Sequence, residues 1–259
     1  MRRRVSSPAM QVAIVIPARD EERSVGDVVA GALQQVPGAR VLVVDDASSD
    51  ATAHEAAAAG AQVMSLARHA GYAGALHAGY REAMAGHPDA VVQMDADGQH
   101  RPGDLPGLLA ALGPADLVVG SRFLGPAPGY RIPALRRAGM AACRWMAVAA
   151  GGVAVTDPTS GLRALAPRAA ARIAERGFPA GLTETSLLIH LHREGFRIRE
   201  VPVRMNAPRS RSMHAGVAGG AHMLRISWAV MGIAARGRGH RAAPATAGPV
   251  PAGLPEPPL

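Results

Sequence analysis

The chain has 259 residues, which is enough for one large α/β domain with short appendages. Hydrophobic residues make up 48% of it, so a core can form, and the single cysteine, Cys143, excludes a disulfide framework and favours a reducing cytoplasm. The net charge is +8, but the 28 basic residues are all arginines spread along the chain, with no basic helix carrying interleaved aromatics, which argues against nucleic-acid binding.

Short apolar runs alternate with helical stretches through the first half of the chain. We predict strands at 12–16, 40–44, 62–66, 90–94 and 116–119, and helices at 21–35, 49–59, 73–85 and 105–112. Continuous apolar strands separated by helices indicate βαβ units and a mostly parallel sheet buried on both faces.

The second half is less regular and ends in a tail of biased composition. We predict helices at 132–150, 168–176 and 183–193 and a late strand at 196–203. Residues 1–9 form a basic arm, and 10–236 form the folded domain. The Pro/Ala-rich tail, 237–259, is expected to be disordered because it has little apolar surface to bury.

No apolar stretch approaches the ~20 residues that a membrane-spanning helix needs. Two shorter apolar segments, around Trp145 and Trp228, are bounded by arginines. Such helices can lie in a membrane interface, with arginines meeting anionic headgroups. We therefore predict a cytoplasmic protein that binds peripherally to the inner face of the plasma membrane.

Two carboxylates, Asp95 and Asp97, follow the predicted strand at 90–94 directly. The carboxyl ends of parallel strands are where ligands bind in open α/β sheets. Gly98 allows a sharp turn, so that both carboxylates can face one site. Oxygen ligands of this kind suit Mg²⁺ or Mn²⁺, which commonly share their coordination with substrate phosphates.

Two further strand ends carry polar residues. Asp45 and Asp46 follow the second strand, and the segment 17–22 follows the first. Carboxylates at the mouth of a parallel sheet can accept hydrogen bonds from a nucleobase or a ribose. The three junctions are therefore expected to converge on one crevice.

Seven motifs occur in an order that resembles the family 2 glycosyltransferases of GT-A fold, especially the polyprenyl-phosphate (dolichol-phosphate mannose synthase-like) branch. They span about residues 10 to 235 and are Ile16-Pro-Ala-Arg-Asp-Glu-Glu22, Val43-Val-Asp-Asp-Ala-Ser-Ser-Asp50, Gly71-Tyr-Ala-Gly-Ala-Leu-His-Ala-Gly79, Met94-Asp-Ala-Asp-Gly-Gln-His100, Val119-Gly-Ser-Arg122, Asp157-Pro-Thr-Ser-Gly-Leu-Arg163 and Arg199-Glu-Val-Pro-Val203. The resemblance implies a single Rossmann-like, mostly parallel central sheet with flanking helices.

The resemblance also implies roles for individual residues. The donor nucleotide would be held by Pro17, Ala18, Arg19, Glu21, Asp46 and Gly71. Asp95 would face the donor sugar or ribose, and Asp97 and Gln99 would bind the metal. Arg122 would contact phosphate, where a planar guanidinium can bind two oxygens, and is counted with Asp95 and Asp97 as catalytic. Arg163 would be a phosphate-binding or a structural arginine.

The sequence departs from the family pattern in the acceptor region. Asp20 stands where relatives often have Asn, and Ser186 stands where they commonly carry a second acid after Glu184. In place of the family's usual Gly-x-Ser-Lys, the chain has a segment that contains Arg209 and Arg211. We predict that these two arginines hold the phosphate of the acceptor. The alternative is that the segment is a solvated linker. The histidines, His69 and His100 included, are not at metal-ligand spacing and are interpreted as surface or loop residues.

The predicted activity is inverting transfer of a sugar from a GDP- or UDP-sugar to a polyprenyl phosphate. A hydroxyl acceptor would need a general base, for which Glu184 and Asp157 are candidates, whereas a lipid phosphate is already anionic. The nearest alternative is a soluble family 2 enzyme acting on a small-molecule or glycan hydroxyl. A nucleotidyltransferase would need an early Gly-rich loop and a catalytic Lys, and this chain has neither. A non-catalytic nucleotide-sugar-binding module is disfavoured because Asp95 and Asp97 are both intact.

Overall fold

One seven-stranded sheet organises the computed structural model, which describes residues 10–125, 134–176 and 184–207. The strands are Val12–Ala18 (β1), Arg40–Asp45 (β2), Gln62–Ser65 (β3), Ala90–Gln93 (β4), Leu117–Ser121 (β5), Arg163–Leu165 (β6) and Ile198–Pro202 (β7). Their order across the sheet is β3-β2-β1-β4-β6-β5-β7. Apart from the two pairs made by β6, neighbouring strands are parallel, which confirms the predicted α/β class with a mostly parallel sheet.

The described helices lie between the strands, at or within a few residues of their predicted positions. They are Val25–Gln35 (α1), Thr52–Ala58 (α2), Gly71–Ala85 (α3), Leu105–Ala110 (α4), Ala134–Gly151 (α5), Pro167–Arg176 (α6) and Glu184–Arg193 (α7), with a short 3-10 helix at Pro102–Asp104. The largest difference is at α1, which begins four residues later than predicted. Residues 21–24 form a turn there, in which the backbone N–H groups of Ser24 and Val25 both donate to the carbonyl of Glu21.

The two faces of the sheet bury separate apolar clusters because successive strand residues point to opposite sides. Along β1, Ala13 and Val15 pack with the α3, α5 and α7 side chains, whereas Ile14 and Ile16 pack with those of α1 and α4. Every residue of β1 is buried. This two-sided burial explains why the strand reads as a continuous apolar run rather than an alternating one.

Strand β6 was not predicted. It is only three residues long, and it lies antiparallel between β4 and β5, so that Arg163 pairs with both Gln93 and Val119. Three residues are too few to establish an alternating pattern, and the strand forms because it completes hydrogen bonds on both sides. Its insertion carries the segment 157–162 to the carboxyl ends of β4 and β5.

The order of the strands creates a switch point beside β1. From β1 the chain moves outward to β2 and β3, and then returns to place β4 on the other side of β1. The helices that follow β1 and β4 pack on the same face of the sheet, where α1 contacts α4 and the 3-10 helix, so the loops after β1 and β4 lie side by side at the carboxyl edge, where ligands bind in open α/β sheets. The proposed arm at 1–9, residues 208–236 with Arg209, Arg211 and Trp228, and the tail at 237–259 lie outside the described residues.

The lone cysteine gives a simple test of this packing. Cys143 is fully buried on α5, and burial raises the pKa of its thiol to about 11. Because the thiolate is the reactive form, we expect the native protein at pH 8 to react with a disulfide reagent about a hundredfold more slowly than the protein unfolded in guanidinium. Equal rates for the native and unfolded protein would show that α5 does not pack as described.

Candidate functional site

The loops that follow β1 and β2 are tied together at the carboxyl edge of the sheet. Asp20 Oδ1 accepts the backbone N–H of Ser49 at 2.8 Å, and the Asp20 N–H donates to Ser48 Oγ at 3.0 Å. The N–H of Glu21 donates to Thr52 Oγ1 at 2.7 Å. Asp20 has a positive φ of 53°, a conformation that Asn and Asp tolerate better than most residues. Asp20 is therefore a residue type that suits this backbone conformation.

Asp46 follows β2 and anchors the beginning of α3. Its carboxylate accepts the N–H groups of Ala70 at 2.6 Å and Gly71 at 2.9 Å, and it lies 2.7 Å from His69 Nδ1. Gly71 has a φ of +77°, which favours glycine at this position. Both carboxylate oxygens of Asp46 are thus occupied by the loop 69–71, at the place where a nucleoside was predicted.

The predicted donor residues of the first loop lie at the same edge. Pro17 and Ala18 are the last residues of β1, and Arg19 follows them with its side chain 35% exposed, 3.6 Å from Asp20. Glu21 is half-buried, and burial together with the negative charges of Asp97, Asp50 and Asp95 raises its pKa. The charge coupling indicates that Glu21 faces the carboxylates that follow β4.

Asp97 and Gln99 form a compact pair in the loop after β4. Asp97 accepts the backbone N–H of Gln99 at 2.9 Å and the Gln99 side-chain amide N–H. Burial, followed by the nearby charge of Asp95, raises the pKa of Asp97. The side-chain oxygen of Gln99 is buried without a hydrogen-bond partner in the described part of the chain. A carboxylate beside an unpartnered buried amide oxygen is a donor set suited to a hard divalent cation.

Three or more carboxylate, histidine or cysteine side chains do not converge on one point among the described residues. A cation at Asp97 and Gln99 would therefore depend on oxygen atoms from a bound substrate as well. Magnesium sites that use one or two carboxylates and substrate phosphates have this character.

Asp95 is held by two side chains that the motif analysis did not identify as functional. Tyr72 donates to Asp95 Oδ1 at 2.8 Å, and His100 Nε2 lies 3.2 Å from Asp95 Oδ2. Burial alone would raise the pKa of Asp95, but the hydrogen bond and charge of His100 and the hydrogen bond from Tyr72 lower it. The structure therefore favours an ionised Asp95 with a fixed orientation.

The interpretation of the histidines as surface or loop residues was wrong for His192, which is buried on a helix, whereas His100 lies in a loop as predicted but is buried there. His100 is 3% exposed and pairs with Met205 in an isolated antiparallel β-bridge, and His192 is 6% exposed on α7. His69 does lie in a loop and its side chain is 54% exposed. Position in a motif-rich loop therefore does not imply exposure.

Arg122 follows β5 and is bound by Asp157 rather than exposed to solvent. Its Nε donates to Asp157 Oδ2 at 2.5 Å and its Nη2 to Oδ1 at 2.7 Å, and both residues are buried. Glu200 accepts the Asp157 N–H at 2.9 Å, which extends the network to β7. The paired, buried carboxylate of Asp157 is unsuited to act as a general base, so Glu184 is the better placed of the two candidates.

The charges of Arg163 and Glu184 both act on the pKa of Tyr72. Arg163 is fully buried, with Nε donating to the Ser160 carbonyl at 3.0 Å and Nη1 without a partner in the described part of the chain. Glu184 begins α7, and its charge is among the causes, after burial and Asp95, that raise the pKa of Tyr72. The positions predicted for the acceptor phosphate, Arg209 and Arg211, lie outside the described residues.

The chain matches one protein family and is similar to two enzymes whose names state an acceptor. The model described as "Glycosyl transferase family 2" matches residues 13–152. The undecaprenyl-phosphate mannosyltransferase of Micrococcus luteus is 33% identical over 253 residues, covering 90% of this chain and 98% of the relative. The UDP-N-acetylglucosamine–dolichyl-phosphate N-acetylglucosaminyltransferase of Methanococcus voltae is 28% identical, covering 74% and 84%.

A solved structure supports the fold. Glucosyl-3-phosphoglycerate synthase from Mycobacterium tuberculosis, crystallised with Mn²⁺, uridine diphosphate and phosphoglyceric acid, superimposes with a TM-score of 0.69. The match covers 87% of this chain and 78% of that protein at 22% sequence identity. At that identity the likeness establishes architecture alone, and it confirms the predicted GT-A fold.

Proposed function

The chain belongs to glycosyl transferase family 2, and on that premise we propose that it moves a sugar, with inversion, from a nucleoside-diphosphate sugar to a polyprenyl phosphate. The observation that carries the proposal is that Glu21 follows β1 while Asp95 and Asp97 follow β4, so that all three lie at the carboxyl edge of two adjacent parallel strands. Ligands bind at such an edge in open α/β sheets. A relative matched over 98% of its length is named for transfer to undecaprenyl phosphate, which supports the acceptor.

The donor nucleotide is proposed to lie over the loops after β1 and β2. Pro17, Ala18, Arg19 and Glu21 would contact it from the first loop, and Asp46 and Gly71, which are hydrogen-bonded to each other, from the second and third. The N–H groups of Ala70 and Gly71 are oriented by Asp46, so Asp46 would shape the pocket through the loop 69–71 as well as by direct contact.

A divalent cation, Mg²⁺ or Mn²⁺, is proposed to be held by Asp97 and the unpartnered oxygen of Gln99. It would supply charge neutralisation on the departing nucleoside diphosphate. The protein's own contribution is a fixed Asp95 beside the donor sugar, with Arg122 held by Asp157 at the end of β5. A lipid phosphate is already anionic and needs no base, whereas a hydroxyl acceptor would require Glu184 to take the proton.

The donor proposal is tested by thermal unfolding with GDP, UDP and their sugar conjugates, each with and without Mn²⁺. A ligand at about 100 times its dissociation constant stabilises the folded state by roughly 2.7 kcal/mol, which corresponds to a rise of about 5 °C or more in Tm. We expect one nucleoside diphosphate to give this shift with Mn²⁺ and a smaller shift with EDTA. Absence of a shift with every nucleotide would refute the proposed donor class.

We also propose that the protein binds peripherally to the cytoplasmic face of the plasma membrane through α5. The buried side of that helix carries Met140, Cys143 and Ala147. The exposed side is apolar except for two arginines and comprises Arg137, Ala138, Ala141, Ala142, Arg144, Trp145, Val148 and Ala149. Trp145 is 71% exposed. An exposed apolar face edged by arginine suits the headgroup region of an anionic bilayer.

None of the described helices is long and apolar enough to cross a membrane. Because Arg137 and Arg144 of α5 would meet anionic headgroups, we expect binding to phosphatidylglycerol vesicles that high salt reverses. Trp145→Gln should weaken vesicle binding by about tenfold, because a large apolar side chain no longer enters the interface. Met10→Gln is a matched control, since Met10 is 49% exposed and precedes β1. Equal binding by both variants would exclude α5 as the docking helix.

The runner-up function is transfer to a hydroxyl of a small molecule or a glycan. The solved neighbour was crystallised with phosphoglyceric acid, a small anionic molecule, which is a reason to keep this alternative in the assay. The two acceptor classes separate in a simple extraction, because a polyprenyl-linked sugar enters the organic phase and a small-molecule glycoside stays in water.

A further inference from the structure

A chain of hydrogen bonds runs from the buried core to the carboxylate of Asp95. The Tyr80 hydroxyl donates to Gln93 Oε1 at 2.9 Å, and Gln93 Nε2 donates to the Tyr72 oxygen at 3.0 Å. The Tyr72 hydroxyl then donates to Asp95 Oδ1 at 2.8 Å. Tyr72 and Tyr80 both belong to α3, and Gln93 is the last residue of β4. The chain therefore ties two rigid elements to one carboxylate.

The direction of each hydrogen bond in the chain is fixed by the donors available. A phenol has one proton, and an amide has a distinct donor end and acceptor end. With the amide N–H of Gln93 donating to Tyr72, the single Tyr72 proton is left for Asp95. The Tyr80 hydroxyl, by donating to the amide oxygen, keeps the Gln93 amide in that orientation. Each residue in the chain thus determines whether the next one donates or accepts.

The inner part of the chain is sealed from solvent. Tyr80 and Gln93 are both 0% exposed, while Tyr72, next to Asp95, is 38% exposed. A buried polar group that loses its partner costs free energy, so the two inner residues resist reorientation. His100 holds the other oxygen of Asp95 at 3.2 Å, so protein groups fix both sides of the carboxylate.

We propose that Tyr72, Gln93 and Tyr80 are positioning residues that hold Asp95 in the orientation in which it binds the donor. Each carboxylate oxygen has two lone pairs, so Asp95 can accept further hydrogen bonds from donor hydroxyls after Tyr72 and His100 are bound. A carboxylate set in place before the donor arrives needs no reorganisation on binding. This role rests on the proposed function, because it presumes that a donor binds at Asp95.

The hydrogen-bond chain itself can be tested without any substrate. The protein has three tyrosines, so tyrosine labelled with ¹³C at the ring carbon bearing the hydroxyl gives three NMR signals. Tyr72→Phe and Tyr80→Phe assign two of them. In the free protein we expect Gln93→Met to move both the Tyr72 and the Tyr80 signals, and Asp95→Asn to move the Tyr72 signal. If Gln93→Met moves neither signal, the chain does not exist in solution and the proposal fails.

The positioning role is tested by kinetics with the nucleotide sugar that supports turnover. A hydrogen bond to a charged group has an effect equivalent to about ten- to a hundredfold in rate, so Tyr72→Phe should lower kcat by that factor. Affinity for the nucleoside diphosphate with Mn²⁺ should stay within about twofold, because the lost contact lies on the sugar side. Gln93→Met should lower kcat by about two- to tenfold, since only neutral hydrogen bonds are lost.

The double variant distinguishes positioning from simple damage to the fold. If Gln93 acts through Tyr72, adding Gln93→Met to Tyr72→Phe should lower kcat no further, whereas independent effects would multiply. Full kcat in Tyr72→Phe, or multiplying losses in the double variant, would overturn the positioning role. A wild-type protein that turns over no nucleotide sugar would instead refute the proposed function, and the NMR measurement would still decide whether the chain exists.

Discussion

Replacing Asp97 with asparagine is expected to reduce sugar transfer by at least about a hundredfold while leaving the fold intact. The substitution keeps the size of the side chain but removes the charge that, with the Gln99 oxygen, is proposed to hold the cation. A catalytic cation contributes several kcal/mol of charge stabilisation, and each 1.36 kcal/mol is tenfold in rate. EDTA should reproduce the loss in the wild-type protein, and Mn²⁺ or Mg²⁺ should reverse it.

Asp89→Asn is the matched control for this substitution. Asp89 is exposed, precedes β4 rather than following it, and accepts the Gln11 N–H at 2.8 Å, a bond that an asparagine oxygen can also accept. Its activity and metal dependence should equal those of the wild type. Full turnover by Asp97→Asn in EDTA would show that neither the residue nor the cation takes part.

Replacing Gly161 with alanine is expected to reduce sugar transfer as strongly as Asp97→Asn does, because the new methyl group would displace Asp95. A Cβ atom on Gly161 would lie 2.2 Å from Asp95 Oδ2 and 2.7 Å from its carboxyl carbon, distances that the structure cannot accommodate without a shift. A misplacement of about 1 Å in a catalytic group can cost a hundredfold in rate. Overpacking of this kind typically costs about 1–3 kcal/mol of stability, so the variant should still fold.

Gly107→Ala provides the comparison for Gly161→Ala. Gly107 lies within α4, and nothing lies within 4 Å of an added Cβ, so the change should leave activity unaltered and stabilise the helix by up to about 1 kcal/mol. The measurements are kcat with the preferred donor and Tm for both variants. Retention of full activity by Gly161→Ala would mean that the position of the Asp95 carboxylate is unimportant for transfer.

Much of the fold could be predicted because its strands are buried on both sides. Strands β1, β2, β4 and β5 read as short apolar runs, and the helices between them show turn residues at their ends, so the order of elements follows from local pattern. Strand β6 could not be predicted in the same way. Its three residues form a strand only because two neighbours offer hydrogen-bonding edges, and those edges exist only after the sheet has assembled.

Candidate site residues could be proposed from the sequence where they lie close together in one loop. Asp95, Asp97 and Gln99 occupy one loop, and their roles toward a cation and the donor, which the family resemblance implies, stay predictions. Of the groups around Asp95, His100 lies in the same loop, whereas Tyr72 comes from α3 and Gly161 from the segment before β6. Likewise, Arg122 was expected to contact phosphate, but in the structure its guanidinium is bound by Asp157, which lies 35 residues away in the sequence. Such contacts depend on tertiary packing, which periodicity does not report.

The most direct test of the proposed activity is the fate of a radiolabelled sugar. Purified protein is incubated with GDP-mannose or UDP-glucose labelled in the sugar, Mn²⁺ and undecaprenyl phosphate, and the mixture is extracted with organic solvent. The account predicts label in the organic phase that depends on the lipid phosphate, disappears with EDTA and falls at least about a hundredfold in Asp97→Asn. Label that remains entirely in the aqueous phase, from a protein that binds the nucleotide, would contradict a polyprenyl-phosphate acceptor.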